Sequence, residues 1–117
     1  MPYSTLGKNA ILDYLGTVAV FASLHSDDPG DAGANEIAGG SPAYARIAIT
    51  WNPAAAGILD SSNQPVFDVP AATTVSWAGF WSEVTGGIFY GAGNVTDEVF
   101  ASQGTYTLLD ADLDLNL

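Results

Sequence analysis

Thr73-Thr74-Val75-Ser76-Trp77-Ala78-Gly79-Phe80-Trp81, then Gly86-Gly87, then Ile88-Phe89-Tyr90-Gly91-Ala92, is the stretch that decides the fold. Its first nine residues are rich in β-branched and aromatic side chains, which read as a strand. Val75, Trp77, Gly79 and Trp81 share one parity, and Thr74, Ser76, Ala78 and Phe80 share the other. Successive side chains point to opposite faces of a sheet, so these two sets are its two faces. Gly86-Gly87 reads as a turn, and the whole segment predicts an antiparallel hairpin. The tryptophan parity is assigned to the core.

Working outward, the same period of two recurs. In residues 43–51, Ala45, Ile47, Ile49 and Trp51 form the expected core face, opposite Tyr44, Arg46, Ala48 and Thr50. Residues 17–25 are apolar on both parities, which predicts a strand covered on both sides. Residues 54–60 read as a weak strand, and 66–69 as a short one ended by Pro70. Residues 95–102 fit either one helical turn or an edge strand. In residues 105–117, Leu109, Ala111, Leu113, Leu115 and Leu117 share one parity, while Asp110, Asp112 and Asp114 share the other. Six to eight short strands with Gly- and Pro-rich turns predict an all-β fold, a small antiparallel β-sandwich that is jelly-roll-like or barrel-like.

Residues 1–16 precede it as a short helix. Ser4 or Thr5 caps it, Leu6, Ile11, Leu12 and Leu15 set its spacing, and Gly16 ends it. This helix either covers a sheet edge or docks as an arm on a neighbouring subunit. The expected plan is thus a helix or docking arm at 1–16 and a β-sandwich domain at 17–117. A long loop at 26–42 interrupts the sandwich, where Ser26-Asp27-Asp28-Pro29-Gly30-Asp31-Ala32-Gly33 carries one turn signal after another.

Charge then excludes whole classes of function. The chain has 117 residues, 2 Lys plus Arg against 13 Asp plus Glu, and a net charge of -11. With 48% hydrophobic residues it is acidic without being charge-rich, which argues against disorder. Lys8 and Arg46 are its only cations, too few to grip nucleic-acid phosphates or an anionic membrane. There is no cysteine, so disulfides, thiolate metal sites and cysteine nucleophiles are excluded. No apolar run approaches the ~18 residues of a membrane span. No positively charged region precedes an apolar run at the N-terminus, so no signal peptide is expected.

Reactive chemistry is sparse. His25 is the single histidine, beside Ser26, Asp27 and Asp28. Hydrolytic triads are assembled from separate elements around an oxyanion hole, and neighbours on one loop do not meet that geometry. The glycine pairs lack the lysine and helix start of a phosphate loop. No catalytic residue and no cofactor is therefore expected. Calcium is the one ion the composition favours, with Asp27, Asp28 and Asp31 as a weak candidate trio. Asp110, Asp112 and Asp114 lie about 7 Å apart along a strand, too far to share an ion unaided. Tyr44, Phe80 and Tyr106 fall on the face opposite the assigned core, which reads as a subunit interface. A carbohydrate platform is the alternative reading of that face. The expected contact residues are Tyr44, Arg46, Tyr106, Asp28, Pro29 and Asn35. For Arg46, an ion pair inside its own chain is the competing role.

Several segments taken together are familiar. They are Leu6-Gly7-Lys8-Asn9-Ala10-Ile11-Leu12-Asp13, Ala22-Ser23-Leu24-His25-Ser26-Asp27-Asp28-Pro29-Gly30, and Gly39-Gly40-Ser41-Pro42-Ala43-Tyr44-Ala45-Arg46. Pro65-Val66-Phe67-Asp68-Val69-Pro70-Ala71 and Gln103-Gly104-Thr105-Tyr106-Thr107-Leu108 extend the set. The chain resembles small virion proteins of tailed phages of actinobacteria, labelled tail fibre or minor tail proteins. The resemblance implies a structural, non-enzymatic role in a virion assembled in the host cytoplasm. It implies other virion proteins as partners, and a homo-oligomer is the expected state, with a trimer as the candidate number. A capsid decoration protein and a host-surface glycan-binding module are the alternatives. The acidic C-terminal strand departs from the family pattern and points to a basic neighbour.

Overall fold

The computed structural model describes residues 3–116. The expected start of the helix at residues 1–2, and Leu117 on the last strand, lie outside the described residues.

Helix α1 (Thr5–Val18) starts where the sequence places it, because the Ser4 hydroxyl accepts the Gly7 N–H at 3.1 Å. It does not stop at Gly16. The chain leaves the helix at Ala19, whose N–H still reaches the Leu15 carbonyl.

The strands are β1 (Phe21–His25), β2 (Ile47–Ala48), β3 (Ile58–Asp60), β4 (Val66–Val69), β5 (Thr73–Trp81), β6 (Phe89–Phe100), β7 (Gly104–Thr107) and β8 (Asp112–Asp114). They form an antiparallel four-stranded sheet in the order β2-β1-β5-β6 and two antiparallel ribbons, β3-β8 and β4-β7. The architecture is mostly β with one short N-terminal helix, as expected. The β5–β6 hairpin is the one the glycine pair predicts. Residues 95–102 resolve to strand through Phe100, since β6 continues alongside β5 to pair Thr73 with Phe100.

The core sits between the main sheet and the β4-β7 ribbon. Ala22 and Leu24 of β1 lie opposite Phe80 and Ala78 of β5. Phe67 and Val69 of β4, with Ile49 and Leu108, close the cluster from the other layer. The tryptophan parity is therefore not the core parity. Phe80 and Ala78 face the core, and Trp77, Gly79 and Trp81 lie on the opposite face. Val75, of the tryptophan parity, is nevertheless buried in the core cluster, and between Val75 and Trp77 the β5–β6 register shifts, with residues 95–97 of β6 set against Ser76 alone.

Two further expectations need correction. Only Ile47 and Ala48 of residues 43–51 pair as a strand, with isolated bridges at Ala43 and Trp51. Ile49 is buried as expected, whereas Ala45 is exposed. The expected 105–117 strand is two strands in different ribbons. Leu108 and Ala111 are both buried, and their spacing of three breaks the period of two at the crossing.

The 26–42 segment has no helix or strand, yet it is an ordered strap. Ser26 donates its N–H to Asn35 O, Ala34 to Pro29 O, and Ile37 to Leu24 O, all within 3.0 Å. Gly33 and Ala34 sit against the Trp81 and His25 side chains of the main sheet, and Glu36 and Ile37 return alongside β1.

Candidate functional site

What the strap covers is a buried polar chain. Trp81 donates its indole Nε1–H to Ser23 Oγ at 2.9 Å, and Ser23 Oγ lies 2.7 Å from His25 Nε2. His25 Nδ1 lies 2.7 Å from the Ala34 carbonyl of the strap. A carbonyl only accepts, so Nδ1 carries the proton and Nε2 accepts from the Ser23 hydroxyl. Every polar atom is then satisfied with a neutral ring. Burial, the largest influence, lowers the His25 pKa below the ordinary imidazole value, and the Ala34 contact and Glu36 only partly oppose it. Ser23 and His25 are completely buried. Among the described residues, the hydrogen-bond partners of the imidazole are the Ser23 hydroxyl and the Ala34 carbonyl. The arrangement pins the strap to the sheet.

Gly33 shows how tightly the strap is seated. Its φ is +74°, and a Cβ there would overlap the Trp81 ring. Only glycine tolerates both the left-handed backbone and that approach.

Arg46 closes the strap from the side. Its Nε donates to Glu36 Oε2 at 3.0 Å and its Nη2 to Glu36 Oε1 at 2.9 Å, a two-point fork. Its Nη1 donates to the Glu83 and Gly86 carbonyls, at 3.0 and 2.7 Å, in the β5–β6 turn. The guanidinium lies 3.7 Å above the Trp81 ring. Tyr44 Oη donates to Glu36 Oε2 at 2.8 Å and accepts the Leu24 N–H at 2.9 Å. Burial raises the Tyr44 phenol, so it stays a donor. Burial alone would raise Glu36, but the hydrogen bonds from Arg46 and Tyr44 and the Arg46 charge outweigh it and hold the carboxyl below its ordinary range.

The expected contact residues thus divide. Arg46, with only 8% of its side chain exposed, takes the competing role of an internal ion pair. Tyr44 stacks on Phe67 at 6.2 Å and points inward. Pro29 is the strap's own buried residue, while Asp28 and Asn35 are exposed and serve its turns: Asp28 Oδ1 accepts Gly30 N–H, and Asn35 Nδ2 donates to Asp28 O. Tyr106 is half-buried opposite Phe67. With Phe80 in the core and Tyr44 turned inward, these aromatics do not form an open platform.

The acidic expectation is also rearranged. Among the described residues, the carboxylates whose oxygens all lie within 4.8 Å of one another are Asp60, Asp110 and Asp112. Asp27, Asp28 and Asp31 are not brought together in this way. Asp60 arrives because β3 pairs with β8, setting Asp60 opposite Asp112. Sequence spacing gives no sign of it, since the residues are far apart in the chain. The trio offers three hard oxygen ligands at an exposed edge. Partial desolvation, a hydrogen bond shared with Asp60 and the Asp110 charge raise Asp112 to about 6. The hydrogen bond with Asp60 leads in raising Asp110.

A pH dependence follows. A carboxyl raised in the folded state stabilises the fold fully below its unfolded pKa, and that contribution is lost as pH rises through about 6. Asp112→Asn removes the ionisation. The variant is expected to melt about 2 °C above the parent at pH 7.5, a small effect because the groups face solvent. The advantage is expected to vanish near pH 4, where the parent carboxyl is protonated. Melting curves at the two pH values check this.

A family model described as Podophage GP4 fiber I protein gp80 matches residues 2–115. The chain belongs to that family. No curated protein and no solved structure matches it. Membership in a phage fibre family makes the protein a virion structural component. In this chain the His25 chain and the Arg46 clamp fasten the strap to the main sheet and to the β5–β6 turn. No helix among the described residues is long and apolar enough to cross a membrane.

Proposed function

We propose that the protein is a non-enzymatic subunit of a phage tail fibre or minor tail assembly, acting through contacts with other virion proteins and with copies of itself. The observation that carries this reading is the fibre-family match across residues 2–115. The chemistry agrees. The one histidine, one of the two cations and the inward tyrosine all serve internal bonds, which leaves surface shape as what the molecule offers. The resemblance carried by the segments quoted above favours an actinobacterial host.

The test is localisation in the particle. Gold-labelled antibody against the chain, with a cryo-EM map of purified virions, is expected to place it on the tail. Label confined to the head shell would replace this reading with capsid decoration. Absence from purified particles would end it.

A further inference from the structure

Helix α1 is apolar on its inward face, where Leu12 is buried and Leu15 packs against the core, and also over much of its outward face. A helix on the surface of a monomer turns its polar side chains to water. Here three of the polar ones instead tie the helix to the molecule's own body from its flanks. Lys8 Nζ donates to Asn116 Oδ1 at 2.9 Å, Asn9 Oδ1 accepts Gly57 N–H at 2.9 Å, and Asp13 Oδ1 accepts Ala54 N–H at 2.7 Å. The outward face carries Tyr3, Leu6, Ile11 and Tyr14, which are 64%, 81%, 41% and 68% exposed. Leu6, Ala10 and Tyr14 follow one another at intervals of four, so they form one continuous stripe.

We infer that this stripe is a self-association surface, covered by the same helix of a second copy. Charge selects that occupant. The chain carries -11, and α1 contains one cation, Lys8, and one acid, Asp13, so the helix is neutral and the remainder holds the whole -11. Two copies meeting through the acidic remainder would set like charge against like. Through α1 they meet with no net charge on either side. A basic partner would instead seek the Asp60–Asp110–Asp112 edge. Area agrees as well. The four side chains expose roughly 500 Å² per copy, so a pair buries about 1,000 Å², the lower limit for a specific interface.

The inference deepens the fibre reading, and the two fail separately. Particle mapping can fail while the chain still self-associates, and the reverse. The test is sedimentation of the full chain at about 100 µM. The parent is expected to be oligomeric, and more so as salt screens the -11 on each copy. Leu6→Glu with Tyr14→Glu is expected to weaken association at least about tenfold while leaving the tryptophan-monitored melt in place. A second measurement does not depend on how that variant folds. The chain has no cysteine, so Ala10→Cys under an added oxidant is expected to give disulfide-linked dimers. Thr96→Cys, exposed on β6, is expected not to. A monomeric parent in high salt, an unweakened double variant, or no more cross-linking at Ala10 than at Thr96 would overturn the inference.

Discussion

Arg46→Leu is expected to destabilise the protein by roughly 3 kcal/mol, a fall of about 10 °C in Tm. Four hydrogen bonds and one aromatic face converge on this guanidinium. It joins the strap through Glu36 to the β5–β6 turn through the Glu83 and Gly86 carbonyls, and it covers Trp81. Leucine keeps part of the contact with Trp81 and none of the bonds. Glu36 is left half-buried with Tyr44 as its remaining donor, and an uncompensated charge there costs more than the pair contributes. Arg46→Lys is expected to recover only part of the loss, because an ammonium cannot fork across both carboxylate oxygens. There is a pH signature. The folded Glu36 pKa is held below its ordinary value, so its contribution is present above that value and is lost as pH falls through the folded one. Without Arg46 the acid-side loss shrinks. Chemical denaturation at pH 7 and near pH 4 measures both. A change below about 0.5 kcal/mol at pH 7 would show that the clamp is ornamental.

The fold was legible wherever one local rule acted alone. The Gly86-Gly87 turn between two β-rich runs specifies a hairpin, and Ser4 specifies a helix start. What failed to read was anything decided by a second layer. Alternation locates a core only when one sheet face is wet, and here the strap buries Trp81, Ser23 and His25 on the face opposite Phe80. Parity then says little, and Val75, in the core with Ala78 and Phe80, breaks it within the strand itself. Asp60 joins Asp110 and Asp112 through strand register, which no spacing encodes. Arg46 stood out correctly as a rare cation in an acidic chain, but rarity does not say whether its partner lies within the chain or beyond it. The acidic balance itself acquired a location. It surrounds a neutral helix, so it bears on which face a second copy can approach.

Gly79→Ala is expected to cost roughly 3 kcal/mol, although alanine outranks glycine in strand interiors by backbone entropy alone. The added methyl would sit 2.6 Å from Ser23 Oγ, 2.7 Å from His25 Nε2 and 3.1 Å from a Phe89 ring carbon. None of these can step aside cheaply. Ser23 is held by Trp81 Nε1, and His25 by the Ala34 carbonyl of the strap, and both are fully buried. The methyl therefore separates the Ser23–His25 pair or lifts the strap, and either outcome leaves buried polar groups unmatched. Gly93→Ala is the control. It lies on the same sheet, its added carbon meets nothing within 4 Å, and it is expected to be neutral or slightly stabilising. The His25 ring supplies a readout beyond melting. Its lowered pKa means that its contribution to stability is present above the ordinary imidazole value and is lost as pH falls through the folded value. If Gly79→Ala admits water beneath the strap, the His25 pKa measured by NMR rises toward the ordinary value, and the acid-side fall in stability flattens. Equal melting of the two alanine variants, with His25 unshifted, would mean that the strap rests on the sheet without being locked to it.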